Sequence, residues 1–90
     1  DGIILENAVR SVKTGTVNET FVAYAYYKDG APKAINNADL TWEVVSNGGT
    51  ALNVASGVVS GTGTTGTFSF KAYVTAKPEL IAMGSVVVAD

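Results

Sequence analysis

The sequence predicts an all-β fold, a sandwich of two sheets built from about seven strands. Residues 40–45 place a single tryptophan, Trp42, on an alternating strand, and residues 66–72 form a second alternating strand. The segment that joins these two strands contains the pair Val58-Val59, with a glycine on each side in the sequence GVVSG. Apolar residues nowhere keep a helical spacing over about three turns, so we expect no helix longer than about two turns.

Turn signals divide the chain into the predicted strands. The first strand begins at Ile3, breaks near Asn7 and resumes through residues 9–12, and the most regular early strand covers residues 19–27. Gly, Pro and Asn-Gly signals predict the interruptions. These are a turn at 28–32, a turn at 47–49, the Ser56-Gly57 pair between two short strands, a flexible loop at 61–66, and a break at 77–79 before a final strand at 80–89.

Alternation also assigns the core. The aromatic side chains predicted to point between the sheets are Phe21, Trp42, Phe68 and Phe70, with Trp42 almost fully buried near Phe21 and Phe70. Smaller residues on the same faces are expected to pad this centre, namely Ala23, Ala25, Leu40, Val44 and Ala72. Full burial of one such aromatic side chain contributes roughly 1.5–3 kcal/mol.

The length and charge of the chain limit what it can be. Ninety residues form one domain with one core. We expect residues 1–90 to be excised from a longer protein, because the chain begins with Asp1 and only 16% of its residues are charged. The net charge of −2 is unlike a nucleic-acid-binding protein, and no apolar run would span a membrane. We therefore expect neither nucleic acid nor membrane insertion.

Cysteine and histidine are both absent. Without cysteine there are no disulfides or thiolate metal sites, which favours a bacterial or viral source over a small secreted animal domain. Without histidine the commonest general base and metal ligand is missing, and no Gly-x-Ser-x-Gly motif supplies a nucleophile. We therefore predict that the protein is not an enzyme and has no catalytic residue, no metal and no cofactor.

Three acidic residues, Asp29, Asp39 and Glu43, come nearest to a metal or acid–base cluster. Asp29 lies in the predicted Gly-Pro turn, where Asp commonly bonds its own backbone, and Glu43 faces outward beside Trp42. No Asp-x-Asp-x-Asp-Gly loop accompanies them. The glycine-rich segment 61–66 lacks the lysine and the following helix of a phosphate loop. We assign no ligand to either feature.

Two blocks of sequence resemble the bacterial immunoglobulin-like domains. The first is FVAYAYYKDGAP at 21–32 leading to LTWEV at 40–44, and the second is VASGVVSG at 54–61 with GTFSFKA at 66–72. Such domains repeat in intimin- and invasin-type adhesins and are added to capsid and tail proteins of tailed phages. The resemblance covers residues 17–88 and implies an immunoglobulin-like, Greek-key sandwich of about seven antiparallel strands. Its departure from the family is the long Asn-rich connection at 34–39.

The resemblance implies a non-catalytic structural or adhesive module of a bacterial surface protein, acting as a spacer or contacting a cell surface or glycan. The alternative is a decoration domain of a phage capsid or tail protein that aids weak attachment to the host cell. Expected partners are neighbouring domains of the parent chain and a cell-surface glycan or protein. The expected location is extracellular, either the cell surface or the virion surface.

Three tyrosines are the candidate contact residues. Tyr24 and Tyr26 are predicted on the outer face of one strand and Tyr73 on that of another, in different sheets of an immunoglobulin-like sandwich. The three rings therefore do not form one stacking platform. We predict weak contact through Tyr24 and Tyr26, or through loops at one end of the sandwich, and no deep pocket.

Overall fold

In the computed structural model, which describes residues 2–27 and 30–90, the chain is all-β, as predicted. Ten strands and one 3₁₀ turn, Asn37–Asp39, occur among these residues, and no α-helix does. The strands are β1 (Gly2–Leu5), β2 (Val9–Lys13), β3 (Gly15–Thr20), β4 (Ala23–Tyr27), β5 (Gly30–Ala34), β6 (Leu40–Ser46), β7 (Asn53–Ala55), β8 (Val58–Gly63), β9 (Gly66–Val74) and β10 (Lys77–Ala89).

The strands form three hydrogen-bonded sheets that pack as a sandwich-like body. One sheet has four strands in the order β2-β10-β9-β6, and two smaller sheets have the orders β1-β4-β5 and β3-β8-β7. Phe21 and Val22 link β3 to β4, so the two smaller sheets are joined through this short connection. The Phe21 N–H donates to the Gly57 carbonyl at 2.7 Å, which anchors the connection to the β7–β8 hairpin.

The prediction of about seven antiparallel strands is wrong in number and in direction. The first predicted strand breaks at Asn7, as expected, where φ is 52°, and the second breaks at Phe21 and Val22, so each contributes two strands. β2 then pairs with β10 in parallel, whereas the other described pairings are antiparallel. β1 thus belongs to a three-stranded sheet, whereas β2 belongs to the four-stranded sheet and is the parallel neighbour of β10.

Three predicted interruptions lie inside strands. Pro32 is in β5, an edge strand whose outer side needs no N–H donor, and Pro78 is near the start of β10, within the register shift between Lys77 and Ile81. Gly61 and Gly63 belong to β8, so only two residues separate β8 from β9 and no long flexible loop forms. In the predicted turn at 28–32, residues 28 and 29 lie outside the described residues.

The core is built on three phenylalanines. Phe21, Phe68 and Phe70 are fully buried, as predicted. The ring of Phe70 meets Phe21 edge-on with centroids 4.8 Å apart and lies nearly parallel to Phe68 at 5.9 Å. Aliphatic side chains from all three sheets complete this core, including Ile3, Leu5, Val17, Ala23, Leu40, Leu52, Val59, Ala72, Val86 and Val88.

Trp42 and Val44 depart from the predicted core. Trp42 packs beside Phe70, with centroids 6.1 Å apart, but it is only half-buried, and Val44 is 41% exposed. Ala25 is also half-buried. β6 is an edge strand of the four-stranded sheet and its pairing with β9 shifts register just after Val44, whereas Leu40 at the start of the same strand is buried. The alternation gives the face correctly, but it does not give the position of the strand within the sheet.

Two glycine positions have a clear steric cause. Gly84 lies opposite Phe70 on β9, and a Cβ added to Gly84 would stand 2.5 Å from the ring. The hairpin between β7 and β8 turns through Ser56 and Gly57 with φ of 48° and 81°. Two successive positive φ angles are the pattern of a type I′ turn, which matches the twist of the flanking strands. The predicted Ser56-Gly57 turn is confirmed.

Candidate functional site

The three predicted contact tyrosines are distributed over two sheets. Tyr24 and Tyr26 are on β4 of a three-stranded sheet, and Tyr73 is on β9 of the four-stranded sheet. Tyr26 is 42% exposed, whereas Tyr24 and Tyr73 are half-buried. The expectation that the three rings do not share one platform is met.

Tyr24 lines a shallow hollow on the outer face of its sheet. The hollow has a volume of about 270 Å³ and is lined by Ile4, Glu6, Tyr24 and Pro32. Ile4 pairs with Tyr24 across the two strands and leaves 45% of its surface exposed. The negative charge of Glu6 raises the pKa of the Tyr24 hydroxyl, and partial burial adds to this effect. The hollow therefore combines apolar surface with the carboxylate of an exposed glutamate.

Tyr26 occupies a different place, although it is two residues away. Its ring covers the backbone of Gly2, its partner on β1, and a Cβ on Gly2 would come within 2.6 Å of the Tyr26 hydroxyl oxygen. An aromatic ring over a cross-strand glycine shields exposed backbone in this way. Tyr26 lines a cleft at one end of the sandwich and is absent from the lining of the Tyr24 hollow. The structure therefore does not bring Tyr24 and Tyr26 into one depression.

The cleft beside Tyr26 was not expected from the sequence. It has a volume of about 490 Å³, within the range of small-molecule sites, which corrects the expectation of a surface without a pocket. It opens where β1 and β4 of one sheet face the β9–β10 turn of another. Its lining residues are Gly2, Ile3, Ala25, Tyr26, Ile35, Ala38, Asp39, Val74, Thr75, Ala76 and Leu80.

Tyr73 belongs to a small polar network on the outer face of the four-stranded sheet. Its hydroxyl donates to a Glu43 carboxylate oxygen at 3.3 Å, and the ammonium nitrogen of Lys71 lies 3.5 Å from the other carboxylate oxygen. The Lys71 nitrogen is also 5.9 Å from the centre of the Tyr73 ring. Neighbouring strands thus hold these three side chains against each other, which leaves Tyr73 less free to meet a ligand.

Arg10 is the most connected polar side chain that sequence reasoning missed. Its guanidinium stacks 3.8 Å from the centre of the Phe21 ring and donates to the carbonyls of Glu6, Asn7 and Thr20 at 3.2, 2.9 and 2.9 Å. It also forms a 3.2 Å ion pair with Glu19. These contacts join the start of β2 to the end of β3. A lone arginine on an exposed-looking strand gives no local signal of this role.

The acidic residues considered from the sequence do not assemble. Asp39 lines the cleft, Glu43 is in the Tyr73 network, and residue 29 lies outside the described residues. In the described ranges, no three Asp or Glu side chains stand close enough together to hold a metal ion. No helix in the same ranges is long and apolar enough to cross a membrane.

The glycine-rich segment has a packing role instead of a phosphate-binding geometry. The Thr64 N–H donates to the Thr50 carbonyl at 3.0 Å, and the Thr64 hydroxyl donates to the Gly49 carbonyl. Thr50 is itself fully buried and donates its hydroxyl to the Asn47 carbonyl at 2.7 Å. Both predicted loops at this end of the sandwich are thus bonded to each other.

Comparison with models of protein families and with curated proteins gave no match to this chain.

Proposed function

We propose that this domain is a non-catalytic spacer of a bacterial surface protein, an immunoglobulin-like unit that carries tension between its neighbours. The observation that supports this function is the parallel pairing of β2 with β10, in register from Val9 opposite Ser85 to Lys13 opposite Ala89. These strands lie near the two ends of the chain. Tension between the ends therefore loads the β1–β4 pairing and then this ladder.

The positions of the two ends determine how the ladder is loaded. Gly2 lines the cleft beside the β9–β10 turn, whereas Val88 pairs with Gly66 at the other end of β9. The protein is elongated, with a longest dimension of 42 Å. Opposite forces on Gly2 and Ala89 therefore run along the strands and shear the hydrogen bonds together. A force across the strands would instead break the bonds one after another.

Further contacts hold β2 in place at both of its ends. Arg10 ties its start to β3, and the Thr14 hydroxyl just beyond its end donates to the Asp90 carboxylate at 2.6 Å.

The strand order supports the immunoglobulin-like part of the proposal. The first segment pairs with β4 in one sheet and then crosses to β10 in the other, which fits a Greek-key sandwich with a split first strand.

Single-molecule pulling tests the proposal. We expect the domain pulled through its two ends to unfold at a clearly higher force than the same domain pulled through Thr14→Cys and its C-terminal end. The second geometry places both handles at the same end of the β2–β10 ladder, so the hydrogen bonds open one after another. Equal forces in the two geometries would contradict the spacer function.

Two proline variants provide a matched comparison. The Ser85 N–H donates to the Ala8 carbonyl at 2.8 Å. In a parallel ladder, the N–H groups of one strand point alternately toward and away from its neighbour. Because the Ala8 carbonyl faces β10, the Val12 N–H also points toward β10 and the Ser11 N–H points away. Val12→Pro should lower the end-to-end unfolding force much more than Ser11→Pro. Val12→Ala measures the packing lost in the first variant.

A second candidate function is weak contact with a glycan, on a bacterial surface or as a phage decoration. The Tyr24 hollow favours it, because an aromatic ring with an adjacent carboxylate suits the apolar face and the hydroxyl groups of a sugar. A glycan array tests it with Tyr24→Ser and, as the control, Tyr73→Ser. Binding that survives Tyr24→Ser, or no binding at all, would contradict this candidate and leave the spacer function untouched.

A further inference from the structure

The cleft beside Tyr26 exposes apolar side chains that the core leaves uncovered. Ile35, Val74 and Leu80 pack against the core on one side and line the cleft on the other. They come from the β5–β6 connection, the end of β9 and the start of β10, so the walls belong to different elements of the sandwich. A concave apolar surface of this size loses water favourably when an apolar group fills it.

Among the described residues that line this cleft, Asp39 is the charged one. It is exposed, and no described lysine or arginine forms an ion pair with it. Its backbone is fixed on both sides, because its N–H donates to the Asn36 carbonyl at 2.9 Å and its carbonyl accepts from the Thr75 N–H at 3.0 Å. Asn36 also caps the 3₁₀ turn by accepting from the Ala38 N–H at 3.0 Å. The backbone that carries this negative charge is thus fixed at the edge of the cleft.

We propose that the cleft binds a small organic cation with an apolar body. The apolar body lies against Ile35, Val74 and Leu80, and the ammonium group is attracted by the Asp39 carboxylate. Tyr26 forms a further wall of the cleft. This inference is independent of the spacer function, because neither β2 nor its ladder with β10 takes part in the cleft.

Two probes of matched shape test the proposal, phenethylamine and the uncharged 2-phenylethanol. Each is titrated into the whole domain, and binding is followed by amide chemical shifts. We expect both probes to shift amides around the cleft, with the amine binding about fivefold more tightly, as one exposed charge pair predicts. Asp39→Asn should remove this difference and leave the affinity for the alcohol unchanged.

A control variant and a change of salt keep the test decisive. Tyr24→Ser alters the separate hollow and should change neither affinity, whereas Tyr26→Ser should weaken both. The preference for the amine should also fall as salt rises from about 0.02 M to about 1 M, which tests the charge even if Asp39→Asn folds poorly. Equal affinities in low salt, shifts centred on Tyr24, or no saturable shifts would overturn the proposal.

Discussion

Replacing Arg10 should destabilise the domain far more than its place on an edge strand suggests. The side chain is only 16% exposed, and its guanidinium fills the space between Phe21, the start of β2 and the end of β3. We expect Arg10→Met to keep much of the apolar contact and to lose every hydrogen bond. Arg10→Lys keeps the charge but loses the planar fork that reaches several acceptors at once.

The magnitude follows from the contacts. Stacking of a partly desolvated guanidinium on Phe21 contributes about 1–2 kcal/mol. The bonds to the carbonyls of Glu6, Asn7 and Thr20 add about 1 kcal/mol together, well below their separate values, because water can replace the donor at exposed carbonyls. The ion pair with Glu19 is partly exposed and adds less than about 1 kcal/mol. We therefore expect Arg10→Met to cost about 3 kcal/mol and Arg10→Lys about half of that.

Urea unfolding followed by Trp42 fluorescence measures this cost. Arg10→Met should lower the midpoint without changing the slope, and it should lower the melting temperature by roughly 10–20 °C for a domain of this size. Lys13→Met is the matched control, because it removes a positive charge from the same strand at an exposed position. Glu19→Gln should cost less than about 1 kcal/mol if the backbone contacts and the stacking dominate.

A loss below about 1 kcal/mol for Arg10→Met would refute this reasoning. It would mean that water and the Phe21 ring replace the guanidinium without cost. A loss in Glu19→Gln as large as that in Arg10→Met would also refute it, since the ion pair alone would then hold the two strands together.

Three further perturbations test separate features. Gly84→Ala should cost about 1–3 kcal/mol in urea unfolding, because its methyl group would collide with the Phe70 ring, and a neutral result would disprove the close contact. Ala51→Gly should stabilise the domain by about 1 kcal/mol, because Ala51 has a φ of 59°, and a lower midpoint would contradict the strain. Glu6→Gln should lower the pKa of Tyr24 toward its ordinary value in an absorbance titration, and an unchanged pKa would show that the Glu6 charge does not act on Tyr24. Because the folded pKa of Tyr24 is raised, its contribution to stability is present below pH 10 and is lost as the pH rises through the folded value.

Local patterns predicted the parts of the fold that depend on neighbouring residues. The alternation of Phe68, Phe70 and Ala72 gave a buried face, and the Ser56-Gly57 pair gave a tight turn. These features need only the period of a strand and the conformational freedom of glycine. The break near Asn7 was predictable because asparagine tolerates a positive φ, which is 52° here.

The parts that sequence reasoning missed depend on which strands become neighbours. Val44 was expected to be buried because its face was read correctly, but it lies beside a register shift on the edge strand β6, whereas Leu40 at the other end of β6 is buried. Arg10 contacts the ring of Phe21 and the carboxylate of Glu19 across strands, and the spacing of these residues in the sequence does not predict these contacts. The cleft depends on where the ends of two sheets meet, so its lining residues could not be grouped in advance.

The parallel neighbour of β2 also affects how the chain reaches this fold. β10 lies between β9 and β2, and it pairs residues from almost opposite ends of the sequence. Such pairing requires closure of a loop nearly as long as the chain, which places folding in the slow range of all-β domains, about milliseconds to seconds. During synthesis, the strands made earlier wait with an unpaired edge and uncovered phenylalanines until the last strand leaves the ribosome. The thirteen-residue strand β10 therefore completes the core of this domain and covers the surfaces that would otherwise promote aggregation.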